Sequence, residues 1–321
     1  MEDNERNWKF CPTSREGIIN MNKMRLAGIR FIVTSICNYN CTYCHNEWEP
    51  KERSLIETKG KLVQSFVAAA KELGGSEVDI TGGEPLLEIK KVKTILTSAK
   101  KYGMWTNMTT NGFYLTKNAK NLKKWGLNEI HIHIPSLNPE RYRSLMRGNS
   151  NLDEVLSAIE VAKINFEKVM INCPIEKSIN DDEIPNFIEY FGKRGVIPRF
   201  IEATPTKGYM PLDKEAIESL VKKKLGNIKK TGSYLWGINT YVTQKQNFKF
   251  ETLRCICFDK KCDICPQTNF IHIDKDYQVR PCNLRPYRIN PKKTAKKTLI
   301  DAVNFLRKQT DIPEEYKKIW G

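Results

Sequence analysis

Between residues 28 and 225, short apolar runs alternate with longer stretches in which apolar residues recur every three or four positions. The short runs predict strands at Ile29–Thr34, Glu77–Ile80, Met104–Thr109, Glu129–Ile134, Lys168–Cys173 and Ile197–Glu202. The longer stretches predict helices, among them Glu57–Leu73, Ile89–Lys101, Asn151–Ile164 and Asp181–Lys193. In the first of these Leu62, Val63, Phe66, Val67 and Ala70 form one stripe, and Gly74 supplies a stop. Strand–helix repetition implies an α/β fold with a parallel sheet and right-handed crossovers. Six units fit either an open sheet or a partial barrel. In both, chemistry is expected in the loops at the C-terminal ends of the strands.

Beyond residue 225 the pattern gives way to Gly- and Tyr-containing, cysteine-rich sequence and then a basic tail. The expected organisation is an N-terminal extension over 1–25, a strand–helix domain over 26–225, and a smaller region over 226–321 covering its open side. Hydrophobic residues at 40% and aromatics at 10% support a real core. The opening Met1 to Trp8 is polar and charged, and no apolar run approaches a bilayer span, so a soluble cytoplasmic protein without a membrane partner is expected. The net charge, 53 − 37 = +16, favours anionic partners. The lysines are nevertheless spread along the chain, and the run Lys292, Lys293, Lys296, Lys297 reads as a solvated tail. No arginine-rich or aromatic-interleaved stripe makes nucleic acid the expected substrate.

Ten cysteines change the picture, because in a reducing compartment clustered thiols point to metal or redox chemistry. Eight fall in two groups: Cys37, Cys41 and Cys44, then Cys255, Cys257, Cys262, Cys265 and Cys282. Cys11 and Cys173 stand apart, and Cys173, in an apolar strand, reads as a small buried hydrophobe. The first group is a CxxxCxxC loop directly after the first strand. Three thiolates on one loop can hold three irons of a cubane and leave the fourth open. The alternative is a zinc site completed by His45, although adjacent Cys44 and His45 do not readily close one tetrahedral shell. The second strand runs into Thr81-Gly82-Gly83-Glu84-Pro85, and adjacent parallel strands put this turn beside the cysteine loop. A glycine pair lets backbone approach a ligand closely, and Glu84 can accept from an ammonium group.

CxxxCxxC with Tyr43 before the last cysteine, followed by GGEP after the second strand, resembles the radical SAM superfamily. The resemblance implies a partial (β/α)6 barrel, a [4Fe–4S] cluster on Cys37, Cys41 and Cys44, and S-adenosylmethionine (SAM) chelated to the open iron. It also implies hydrogen abstraction from substrate by a 5′-deoxyadenosyl radical, and a flavodoxin- or ferredoxin-type reductant. It is closest to the MoaA-like branch, that of the GTP 3′,8-cyclases, through Gly28-Ile-Arg-Phe-Ile-Val-Thr34, Thr109-Thr-Asn-Gly112, Asn138-Pro-Glu140, Asn180-Asp-Asp-Glu-Ile184 and Arg199-Phe-Ile-Glu202. By position Tyr43, Gly82, Gly83, Glu84, Thr109, Asn111, His133 and Thr204 then lie around the cofactor.

Departures from that branch bear on the substrate. Asp79 and Met170 stand where the cyclases carry a basic residue and a lysine, while Arg30 and Thr109 keep the pattern of the nucleotide site. Pro266-Gln-Thr-Asn-Phe270 replaces an Arg-x-Arg element, and the chain ends Lys-Lys-Ile-Trp-Gly without the double-glycine tail. An aspartate facing a phosphate turns attraction into repulsion. Arg30, Asp79 and Met170 are thus candidate substrate-binding residues for something other than GTP, with GTP cyclisation as the alternative. Alternation in Glu129-Ile-His-Ile-His-Ile134 puts Glu129, His131 and His133 on one face. His131 and His133 are candidate substrate ligands or proton carriers, the alternative being a polar barrel lining. The second cysteine group resembles an auxiliary [4Fe–4S] region, with Cys262, Cys265 and Cys282 as implied ligands and Cys255 or Cys257 as a fourth, or else a zinc knuckle. The substrate expected is a small molecule or a peptide; residues 1–25 are short for a leader-binding module and favour the small molecule. A zinc-stabilised binding module is the reading from another class.

Overall fold

Each strand expected from the alternation is present, with ends displaced by at most two residues. A computed structural model describes residues 26–45, 58–202, 212, 214–233, 237–254, 270–282, 285, 287–291 and 294–309. Strands β1 (Gly28–Ile32), β2 (Glu77–Thr81), β3 (Trp105–Thr110), β4 (Glu129–His133), β5 (Lys168–Ile175) and β6 (Ile197–Glu202) pair in chain order, all parallel. Between them run α1 (Gly60–Glu72), α2 (Ile89–Lys101), α3 (Leu115–Trp125), α4 (Pro139–Met146), α5 (Leu152–Asn165) and α6 (Ile184–Gly192). This is the partial (β/α)6 barrel, closed on its sixth unit by α7 (Lys214–Leu225).

The helices start and stop where the sequence supplies caps. Asn138 accepts from the N–H groups of Glu140 and Arg141 to open α4, and Asn151 accepts from that of Asp153 to open α5. Gly74, at φ +87°, turns the chain away after α1, and Gly126, at φ +107°, ends α3. The helix expected over Asp181–Lys193 is split into a 3-10 turn (Asp181–Glu183) and α6. Pro185 suits the first turn of a new helix, and Glu183 turns inward to bind its neighbours.

The region after residue 225 joins the same sheet. It contributes β7 (Ile228–Ser233), β8 (Ile238–Thr243), β9 (Lys249–Arg254), β10 (Phe270–Ile273), β11 (Val279–Arg280) and α8 (Ala295–Arg307). The strand order is β11-β10-β1-β2-β3-β4-β5-β6-β9-β8-β7, with β10 parallel to β1 and β9 parallel to β6. Both open edges of the barrel are thereby paired, which satisfies backbone groups that an edge strand leaves exposed. No helix among the described residues is long and apolar enough to cross a membrane.

The two faces of the strands divide cleanly. Ile130, Ile132 and Ile134 are fully buried under the helices, with Val155 of α5 against the same wall as Ile132 at Gly112. The other face is polar. His272, Arg30, Asp79, Asn107, Glu129 and Lys168 stand in register across β10, β1, β2, β3, β4 and β5.

Candidate active site

At the C-terminal rim three loops are laced by main-chain and buried side-chain hydrogen bonds. The N–H of Gly83 donates to the carbonyl of Thr34 at 2.7 Å, and that of Glu84 to Ile36 at 2.9 Å. A Cβ on Gly83 would lie 2.1 Å from the Ile36 oxygen, and one on Gly82 (φ +148°) 2.4 Å from the Thr34 oxygen. The glycine pair thus lets the turn dock on the cysteine loop, whereas its sequence suggested approach to a ligand. Glu84 is fully buried; its carboxylate accepts from the N–H of Leu86 (3.0 Å), the N–H of Asn111 (2.9 Å) and the hydroxyl of Thr110 (2.8 Å). Burial pushes its pKa up, against these hydrogen bonds. Asn111 closes the lacing by donating Nδ2–H to Asn38 Oδ1 at 2.8 Å and to Cys37 Sγ at 3.6 Å.

The cysteine loop is also pinned from α4. The N–H of Thr42 donates to the Leu145 carbonyl at 2.9 Å, and Met146 Sδ receives the Tyr43 hydroxyl at 3.0 Å and the Cys41 thiol at 3.6 Å. Cys37 and Cys41 are partly buried and Cys44 is exposed. Burial pushes the Cys41 thiol up to about 12, with the charges of Cys44 and Cys37 adding to it; Cys37 is raised mainly by burial. Two partly buried thiols and an exposed third that repel one another as thiolates are what a cationic iron cluster relieves. Among the described residues no three His, Cys, Asp or Glu side chains converge as a single bound ion requires. A cubane asks for something else, one thiolate at each of three iron corners, and a loop of three spaced cysteines fits that donor set.

Below the rim the inner face is a chain of ion pairs. Arg30 Nε donates to Asp79 Oδ2. His131 Nε2 lies 2.7 Å from Glu129 Oε1, which also meets Lys168 Nζ at 3.0 Å, while Trp105 Nε1 donates to Glu129 Oε2 at 3.3 Å. Burial raises the Glu129 pKa, but His131, Lys168 and Arg199 together hold it well below the usual carboxylate range. Arg199 donates to Glu251 Oε2 at 2.7 Å and reaches Met170 Sδ at 3.4 Å. His133 lies above this belt with its ring centroid 5.3 Å from that of Tyr43. Its Nε2 is buried without a hydrogen-bond partner, and burial, then the charge of His45, lowers its pKa to about 4. Two surface cavities of ≈ 310 and ≈ 400 Å³ lie elsewhere, lined by residues such as Arg141 and Glu183, and Phe113 and Glu154.

The structure thus gathers Cys37, Cys41, Cys44, Tyr43, Gly82, Gly83, Glu84, Asn111 and His133 at one rim. It sets Arg30, Asp79, Thr109, His131 and Met170 on strands of the barrel. Cys282 follows β11 and is partly buried, and Cys173 is fully buried. Thr204, Cys255, Cys257, Cys262 and Cys265 lie outside the described residues. The sequence reading missed Asn38 and Met146, and also Glu251 and His272. The last two come from strands whose pairing with the barrel carries no local signal.

The sequence profile of the Radical SAM superfamily matches residues 31–191. The chain is 36% identical over 184 residues to the GTP 3′,8-cyclase of Lactiplantibacillus plantarum, covering 55% of this chain and 54% of that one. It is 28% identical over 292 residues to the GTP 3′,8-cyclase of Aliarcobacter butzleri, covering 87% of each. At the higher identity the chain spans about half the length of the curated relatives it matches. Among solved structures it resembles Streptococcus suis SuiB bound to precursor peptide SuiA, with a TM-score of 0.69, 15% identity, and coverage of 89% of this chain and 67% of that one.

Proposed function

Because this chain belongs to the radical SAM superfamily, we propose that it is a MoaA-like radical SAM enzyme acting by hydrogen abstraction on a small-molecule or peptide substrate other than GTP. The observation that carries this reading is the lacing of the GGEP turn to the cysteine loop through Gly83, Glu84 and Asn111. The residues that would hold the cluster are Cys37, Cys41 and Cys44. A [4Fe–4S] cluster held there would supply the electron for reductive cleavage of SAM, and with it the hydrogen-abstracting chemistry.

The protein's own part is to hold geometry and to manage protons. Tyr43 and His133 stand side by side at the cysteine loop, their ring planes inclined by 33°. His133, kept neutral, offers a hydrogen bond to the cofactor without adding charge. His131, held by Glu129 at 2.7 Å, is the better-oriented candidate proton carrier. Cys262, Cys265 and Cys282, with Cys255 or Cys257, are proposed to hold an auxiliary [4Fe–4S] cluster, and a flavodoxin- or ferredoxin-type protein is proposed as reductant.

The test is anaerobic reconstitution followed by iron and sulfide analysis and by measurement of 5′-deoxyadenosine after dithionite reduction. Iron together with SAM cleavage is the expected result. Zinc without iron, and no cleavage, would return the chain to a binding-module reading. GTP 3′,8-cyclisation is the second reading, favoured by the 36% identity. It asks Arg30 to serve a triphosphate while it binds Asp79. An assay with GTP separates the two.

A further inference from the structure

The inner face of the barrel carries buried polar atoms with no hydrogen-bond partner. Asp79 is 5% exposed; its Oδ2 takes the Nε–H of Arg30, and its Oδ1 has no partner. One strand away from Arg30, His272, also 5% exposed and in register with it, leaves Nδ1 without a partner. Nearer the rim the Asn172 Oδ1 is a third such atom, in register with His133, whose Nε2 is a fourth. Three cations of this face are engaged by carboxylates, Arg30 by Asp79, Lys168 by Glu129 and Arg199 by Glu251, and a fourth, the buried Arg280 on β11, stands in register with His272. Glu77 lies two residues from Asp79 on β2, and the like charges of Asp79 and Glu129 add to burial in pushing its carboxyl up to about 8. That crowding is relieved by an added cation, and a buried acceptor recovers free energy when a donor arrives. A polyphosphate needs the reverse, a set of uncommitted donors.

Resting on the radical SAM reading of the same barrel, we propose that the substrate enters with a cationic hydrogen-bond donor, an alkylammonium or guanidinium group, which docks on Asp79. Arg30 stays bound to Oδ2 and the incoming group takes Oδ1. Asp79 is then a specificity residue, selecting against the phosphorylated nucleotide for which the chain's relatives are named. The donor group can come from a free amine or from a peptide side chain.

The test is calorimetric titration of the reconstituted, SAM-loaded protein with 1,5-diaminopentane, with capped Ala-Lys-Ala and with GTP. Saturable binding of an amine and none of GTP is expected in the wild type. Binding of diaminopentane points to a free amine as the source, and binding of the tripeptide alone to a peptide. Asp79→Asn should weaken the amine about tenfold, the loss of one charge-assisted hydrogen bond. Asp79→Lys should reverse the preference, so that GTP binds. Competition between amine and GTP on the wild type measures the same preference without a variant. Tighter binding of GTP than of either amine, no saturable amine binding, or amine binding unchanged in Asp79→Asn overturns the inference. SAM cleavage is measured on the same samples: amine binding through Asp79 without cleavage defeats the enzyme reading alone, and cleavage without amine binding defeats this inference alone.

Discussion

The rim and the inner face of the barrel grow from the same strands, yet they are fastened in opposite ways. At the rim main-chain contacts set the loops, Gly83 to Thr34, Glu84 to Ile36 and Thr42 to Leu145, with the Glu84 carboxylate and the Asn111 amide bridging them. On the inner face they are side-chain ion pairs: Arg30 with Asp79, Glu129 with Lys168, Arg199 with Glu251. Main-chain lacing fixes a geometry that few substitutions can enter. Side-chain pairs can be exchanged one at a time without moving the strands. The rim is therefore suited to a constant task, holding a cofactor, and the inner face to a variable one, choosing a substrate.

The sharpest way to break the comparison is at the rim thiols. Replacing Cys37, Cys41 and Cys44 together by Ala should abolish SAM cleavage and lower bound iron from about eight to about four per chain, if two [4Fe–4S] clusters are present. Iron unchanged by the triple substitution would remove the cysteine loop from the site. Iron falling to none would leave the rim as the only cluster site.

Glu84→Ala comes next. It leaves the N–H groups of Leu86 and Asn111 and the hydroxyl of Thr110 without their buried acceptor. A loss of about 3 kcal/mol in unfolding free energy is expected. Denaturant titration measures it, and a loss below about 1 kcal/mol would mean that water replaces the carboxylate. Gly83→Ala should cost somewhat less, about 1–3 kcal/mol, because the backbone at Ile36 must move aside from a Cβ 2.1 Å away. Its cluster content should fall with it. Gly60→Ala is the control: its nearest neighbour would be a Thr94 methyl at 3.8 Å, and stability should hold within about 0.5 kcal/mol.

How far the sequence made these parts legible follows from the range of the signals. Alternation is local, so the split of Ile130 and Ile132 from His131 and His133 could be read directly, as could the helix stop at Gly74. The cysteine loop and the GGEP turn follow successive strands, and their adjacency followed from parallel pairing alone. What stayed hidden depends on partners far along the chain. Met146 meets Cys41 from 105 residues away, and Glu251 meets Arg199 from 52. No local periodicity marks β9 or β10 as barrel strands, because each joins by pairing with a strand far away in the sequence, β9 with β6 and β10 with β1. Glu84 was legible as a conspicuous residue but not in its role, since capping and loop-bridging need the coordinates of Thr110 and Asn111.

The smallest effect tests whether the inner face is as acidic as its pairs suggest. The Glu77 carboxyl is pushed up to about 8, by burial first and then by Asp79 and Glu129. In the unfolded chain a glutamate titrates near 4.3. Between those values the folded protein holds a proton that the unfolded chain has lost, so stability falls as pH rises through roughly 4.5 to 8. Glu77→Gln still accepts from Asn107 Nδ2 but cannot ionise. It should flatten that slope and leave the variant more stable than wild type at pH 8 by about 1 kcal/mol, a figure reduced because the Glu77 side chain is only partly buried. Melting temperature followed from pH 5 to pH 9 on both proteins measures it. Parallel curves would mean that Glu77 is charged and solvated throughout, and the case for an amine on Asp79 would then rest on its unpartnered oxygen alone.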